Sequence, residues 1–195
     1  MLQLLALRTM HMPSQVQEEI NRKNIFVDID ETLMHAGMGE EHKLKVPTVK
    51  VKTYRPVEVY KVSLRPGALK LLFDLRAIGH VYALTRATQD YAFAMNKTFG
   101  FGFPEKRIYS RLHVREWRKT KIDLDIPQGQ NYLIDDLNFQ DNYEKLALLR
   151  KLGPVQYIKV VPFWGYTNEG YTHEEIDNIV DQIANTVPKG PEDSK

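Results

Sequence analysis

Cysteine is absent from the chain. Its absence removes disulfides, thiolate zinc sites and cysteine nucleophiles together. It fits a reducing compartment, and an intracellular, soluble protein of the cytoplasm or nucleus is the expectation. An excess of one charge is missing too: 27 Lys and Arg stand against 25 Asp and Glu, a formal net charge of +2. Nothing global therefore demands nucleic acid or an acidic membrane. The apolar start, MLQLLALRTMHM, is too short to span a bilayer. It lacks the basic stretch and small-residue cleavage site of an export signal, so no membrane partner is expected. Internal repeats, low-complexity tracts and a compact His cluster that would compete for zinc are lacking as well.

What remains is an ordinary globular composition. With 195 residues, 43% of them hydrophobic, the chain fits one domain with a real core. The expected organisation is an N-terminal leader over 1–20, one domain over 21–187 and a flexible tail over 188–195. Ser14 caps a short helix in the leader, through about Ile20. Within the domain, strand-rich residues 46–52 and 57–64, broken by Arg55-Pro56, predict a β-hairpin insertion at about 44–64. Strands are predicted at 25–29, 80–85, 131–136 and 155–160. Helices are predicted from Pro66-Gly67 to Ile78, from a Thr88 cap to Phe99, over roughly 139–151, and after a Thr172/Glu175 capping box. Strands alternating with helices imply a parallel α/β sheet with right-handed crossovers.

The stretch IFVDIDETLMHA, residues 25–36, sets Asp28, Asp30 and Glu31 directly after a run of strand formers. In parallel α/β sheets ligands bind beyond the carboxyl ends of the strands. Three predicted strands end there in polar chemistry: Asp28 and Asp30, Thr85, and Asp135 with Asp136. Gathered in one crevice, such carboxylates require a positive partner. Mg²⁺ suits an all-oxygen site that keeps waters. A metal held by carboxylates, with one carboxylate free to attack, is apparatus for phosphoryl transfer through an aspartyl-phosphate. A hydroxyl such as that of Thr85, and a lysine, would then bind and neutralise the transferring group.

DIDETLMH resembles the first motif of the haloacid dehalogenase superfamily, Asp-x-Asp-x-Thr. The form is similar to that in phosphatases of the RNA polymerase II C-terminal domain and their small, NLI-interacting-factor-like relatives. The likeness continues through VYKVSLRPGALKLL, LTRATQDYA, KIDL, YLIDD and VVPFWG, and covers about residues 24–185. The resemblance implies a Rossmann-like central sheet flanked by helices, with the small hairpin insertion and no large cap domain. It implies that Asp28 is the nucleophile and that Asp30 is the general acid and base. Mg²⁺ would be held by Asp28, the backbone carbonyl of Asp30, and Asp135, with Asp136 in support through water or from behind. Thr85 would bind the phosphate. The third-motif lysine would be Lys121, in its KIDL setting, with Lys119 in reserve on spacing.

The chain departs from the family pattern in two places. Arg86-Ala87 follows Thr85 where small residues are usual, which brings a guanidinium near the phosphate and bears on substrate preference. Leu137-Asn138 replaces Ser-Pro after the acidic pair. Glu31 reads as a turn residue, Thr32 as a brace for the loop through backbone hydrogen bonds, and His35 as a surface or loop histidine.

Only about fifty residues separate Thr32 from Thr85, so the crevice is expected to be open, as suits phosphate carried on a macromolecule. The expected partner is a protein segment bearing phosphoserine or phosphothreonine. Residues 105–121, EKRIYSRLHVREWRKTK, read as a charged surface. Their basic and aromatic residues also keep open a nucleotide or polynucleotide 5′- or 3′-phosphatase. A phosphopeptide-binding protein without turnover is the third reading, disfavoured by the presence of both Asp28 and Asp30. Oligomeric state is not legible in the sequence.

Overall fold

The computed structural model describes residues 23–37, 48–52, 59–114, 125–165 and 172–186. In chain order the elements are β1 (Lys23–Val27), β2 (Met34–Gly37), β3 (Thr48–Lys52), β4 (Val59–Leu64), α1 (Ala68–Ile78), β5 (His80–Leu84) and α2 (Gln89–Phe99). They continue with β6 (Ile108–Tyr109), β7 (Gln130–Asp135), α3 (Tyr143–Leu149), β8 (Val155–Lys159) and α4 (His173–Ala184). The helix and boundary residues expected in the leader, and the tail, lie outside the described residues.

Five strands form one sheet in the order β6-β5-β1-β7-β8, every neighbouring pair parallel. β1 is central because both its faces are apolar. Strand alternation sends Ile25 and Val27 to one face and Phe26 to the other. The first face packs against Leu71, Leu72 and Leu75 of α1, Met95 of α2, and Ile176, Ile179 and Ile183 of α4. On the opposite face Phe26 joins Tyr82, Leu84, Leu133 and the α3 residues Leu146, Leu148 and Leu149. Phe26 stacks on Tyr82 with ring centroids 5.0 Å apart. Each such buried side chain contributes about 1.5–3 kcal/mol of transfer free energy.

The expected α/β sheet is present, and the structure adds to it. The hairpin β3–β4 gains a third strand, giving an antiparallel sheet in the order β2-β4-β3. β2 went unforeseen because Met34-His35-Ala36-Gly37 carries no β-branched residue. A two-residue edge strand, β6, also lies in the segment read as charged surface, with both Ile108 and Tyr109 buried. Helix α3 is shorter than 139–151: residues 138–142 wind as turns, Asp141 and Asn142 donating to the Asn138 carbonyl. Thr88 stands at the N-cap of α2 but makes no side-chain cap bond, whereas Thr172 accepts from the Glu175 amide at 3.1 Å.

Candidate active site

Strand register assembles the site. Val27 pairs with Ala83 on β5 and with Ile134 on β7, so the residues that follow emerge at one level on one edge. The ladder runs one step past β1, since the Asp28 amide donates to the Ile134 carbonyl at 3.0 Å. Asp28 and Asp135 therefore face each other by backbone construction. One carboxylate oxygen from each of Asp28, Asp135 and Asp136 falls within a single 4.8 Å cluster, and all three residues are buried.

The chain then turns sharply. Glu31 adopts a left-handed backbone, φ 55°, rare for a residue with a side chain and a mark of an over-determined position. Its carbonyl accepts from the Phe163 amide at 2.8 Å and from Arg65 Nη2 at 2.5 Å. The same Arg65 nitrogen reaches the Val161 carbonyl at 2.5 Å. Arg65 is buried, with its guanidinium 5.3 Å from the Phe163 ring centre. A fully buried arginine thus ties the loop bearing Asp28 and Asp30 to the segment after β8.

Two loop residues behave differently from the sequence reading. His35 is buried on β2, its Nδ1 2.8 Å from Glu31 Oε1, because the unforeseen strand carries it inward. Thr32, read as a brace through backbone hydrogen bonds, instead directs its hydroxyl to a carboxylate, donating to Asp136 Oδ1 at 3.2 Å.

Asp30 receives a hydrogen bond from the Tyr91 hydroxyl at 2.5 Å. Burial pushes its carboxyl up to about 6, against the lowering effect of Tyr91. Burial and the neighbouring Asp30 raise Tyr91 far above its ordinary range, so the phenol is a donor at any ordinary pH. Tyr91 belongs to the buried stripe of α2, with Ala92 and Met95. Its position on the inward stripe, six residues after Thr85, gave no sign of the carboxylate it meets.

Thr85 is buried at the end of β5. Its amide donates to the Tyr109 carbonyl at 2.9 Å, and its hydroxyl accepts from the Ala87 amide at 3.0 Å. Arg86 points outward, 3.4 Å from Glu144, while Arg111 Nε donates to its carbonyl at 2.6 Å. Arg86, Arg111, Val114 and Glu144 line a cleft of about 300 Å³.

Lys119 and Lys121 lie outside the described residues. A different lysine enters the site. Lys145, on α3, is buried and stands 2.7 Å from Asp135 Oδ2 and 2.9 Å from Asp28 Oδ1. Sequence reading missed it, though a signal exists. A lysine at i−3 and i−4 to Leu148 and Leu149 sits on the inward stripe of its helix, where a charge needs a buried partner.

A family model described as NLI interacting factor-like phosphatase matches residues 23–136. The chain belongs to that family. The matched segment opens on β1 and closes on Asp136, so it contains both acidic strand ends. It is shorter than the resemblance read from the motifs and stops before Lys145. No curated protein sequence matches the chain significantly. Among solved structures, a variant of the fission yeast RNA polymerase II CTD phosphatase Fcp1 bound to beryllium fluoride is 19% identical. The alignment covers 87% of this chain and 51% of that one, with a TM-score of 0.49. A second structure of Fcp1, described as an essential RNA polymerase II CTD phosphatase, gives 18%, 87%, 51% and 0.48 in the same order. A 4-nitrophenylphosphatase from Thermotoga maritima gives 16%, 88%, 68% and 0.31. The chain thus spans about half the length of the Fcp1 chains it matches.

In this phosphatase-family chain the charge balance bears on a metal. Burial raises Asp28 well above the usual carboxylate range, against the pull of Lys145. It also raises Asp136 to about 6, with Asp135 adding to the rise. Burial works against the Lys145 ammonium as well, but Asp28 and Asp135 outweigh it and hold its pKa above the ordinary value. One ammonium thus faces three clustered carboxylates, a formal excess of negative charge. An all-oxygen donor set of this kind fits a hard divalent cation. Among the described residues, no helix is long and apolar enough to cross a membrane.

Proposed function

We propose that the chain is a Mg²⁺-dependent phosphatase that hydrolyses phosphate monoesters through an aspartyl-phosphate on Asp28. The observation that carries this reading is the meeting of Asp28, Asp135 and Asp136 in one buried cluster, with Asp30 held beside it by Tyr91. Family membership supports the reaction class.

Asp28 attacks phosphorus, forming a carboxyl O–P bond as the ester O–P bond breaks. Asp30, with its pKa raised to about 6, carries a proton to the departing alkoxide. It then takes a proton from the water that attacks the acyl phosphate, and cleavage of the O–P bond to Asp28 releases inorganic phosphate. Thr85 binds a phosphate oxygen, and the tie from Arg65 keeps the loop in register. Asp28, the Asp30 carbonyl and Asp135 would hold Mg²⁺, with Asp136 contributing directly or through water. When bound, the cation offsets the negative charge that the carboxylates and phosphate bring together.

The substrate is phosphoserine or phosphothreonine in a protein segment. Membership of the NLI interacting factor-like phosphatase family, with the resemblance of the motifs to phosphatases of the RNA polymerase II C-terminal domain, favours this class. Arg86 and Arg111 line a cleft together with Val114 and Glu144; a further anionic group on the substrate would compete with Glu144 for Arg86, and on that ground a nucleotide or polynucleotide phosphatase is the second reading. Catalytic efficiencies should be compared for phosphopeptides, nucleotides and 5′- or 3′-phosphorylated oligonucleotides, with Asp28→Asn as the control. Preference for phosphopeptides is expected. Preference for oligonucleotides would replace the substrate class and leave the chemistry standing, whereas an inert wild type would remove the phosphatase reading.

A further inference from the structure

We propose that Lys145, on the helix after the acidic pair, supplies the ammonium that neutralises the transferring phosphoryl group, in place of Lys121 or Lys119. The assignment rests on the phosphatase reading above and adds to it the identity of the cationic side chain.

Strand parity leads to this residue. Phe26 and Leu133 point to the sheet face covered by Leu146, Leu148 and Leu149. Two residues further along each strand come Asp28 and Asp135, which by alternation point the same way. A side chain on the inward stripe of α3 therefore meets both carboxylates at the sheet edge. Lys145 occupies that stripe, is 1% exposed, and reaches Asp135 Oδ2 at 2.7 Å and Asp28 Oδ1 at 2.9 Å.

A purely structural ammonium is an inefficient use of such a position. Burying a charge carries a large desolvation penalty before pairing, and apolar replacements of a buried ion pair are often as stable. Contact with Asp28 explains the expense. A phosphoryl group bonded to the Asp28 carboxylate necessarily brings its oxygens beside whatever touches that carboxylate. An ammonium has three donors, and Asp28 and Asp135 leave one for a phosphate oxygen. Preorganised positive charge of this kind acts on the transition state of phosphoryl transfer.

The test uses the full chain with p-nitrophenyl phosphate and Mg²⁺, comparing Lys145→Met, Lys145→Arg, Lys119→Ala and Lys121→Ala. Lys145→Met is expected to lower kcat by about 10²–10³-fold, the scale of one lost oxyanion donor, and by far more than either alanine variant. Lys145→Arg should restore part of the rate. Mn²⁺ binding, followed by electron paramagnetic resonance, should be kept or tightened in Lys145→Met because a competing cation is gone; a collapsed site would instead bind Mn²⁺ more weakly. If Lys145→Met does not fold, the ranking of Lys145→Arg against the two alanine variants decides. A larger loss in Lys119→Ala or Lys121→Ala, or an equally active Lys145→Met, overturns the assignment while leaving the phosphatase reading intact. Weakened Mn²⁺ binding that accounts for the lost rate overturns it too, and an inert wild type overturns both.

Discussion

The Tyr91 hydroxyl donates to Asp30 Oδ1 across 2.5 Å, joining the inward face of α2 to the residue proposed to move the proton. The bond stabilises the charged carboxylate and so opposes the upward push of burial that leaves Asp30 at about 6. Removing it should make Asp30 a weaker acid.

Tyr91→Phe is therefore expected to move the alkaline limb of kcat/KM upward, by about one pH unit if the bond contributes the usual charge-assisted increment. The sign follows from the role of Asp30, which must be protonated to serve as acid. A pH–rate profile on an unactivated phosphate ester checks this, and a limb that stays in place or moves to lower pH would remove Asp30 as its source.

Arg65→Ala leaves the Glu31 and Val161 carbonyls without the donor they share. Denaturant titration should show a loss of about 3 kcal/mol, the scale for buried bonds to a charged donor. Turnover should fall with it, because the loop bearing Asp28 and Asp30 loses its anchor. Arg65→Lys should be intermediate, since a single ammonium lacks the planar fork. Retention of full stability in Arg65→Ala would show that the loop holds itself.

Stability should depend on pH through the raised carboxyls. Asp30 and Asp136 each titrate at about 6, above the ordinary 3.8, so the folded chain binds protons more tightly than the unfolded one between those values. Their contribution is complete below the unfolded pKa and is lost as pH rises through about 6. Cations compete with protons for the same oxygens, so the rise in Tm from Mg²⁺ should be larger at about pH 7.5 than at about pH 5. Thermal melts at the two values provide the check, and an equal or reversed effect would contradict the metal assignment.

The acidic edge was legible because two periodicities point at it. Apolar runs ending in Asp28 and in Asp135 read as buried parallel strands, and parallel strands in register bring their carboxyl ends together. The residues that depend on packing across the sheet were not legible. Tyr91 and Lys145 both sit on helix stripes whose spacing reads as core, and nothing local shows that the facing strand residue is an aspartate. His35 reads as a surface or loop histidine because β2 lacks strand-forming residues; pairing with β4, rather than its own propensity, brings it inside.

Asp28 as the acceptor of the phosphoryl group is open to a direct measurement. Asp30→Asn, which retains the nucleophile but loses the proton carrier of the second step, should be mixed with p-nitrophenyl phosphate and Mg²⁺, quenched in acid, and mapped by peptide mass spectrometry. A burst of nitrophenolate is expected, with phosphate on the peptide containing residues 25–36, and both should be absent when Asp28→Asn is added to the same chain. Phosphate attached elsewhere, or turnover that survives Asp28→Asn, would contradict it.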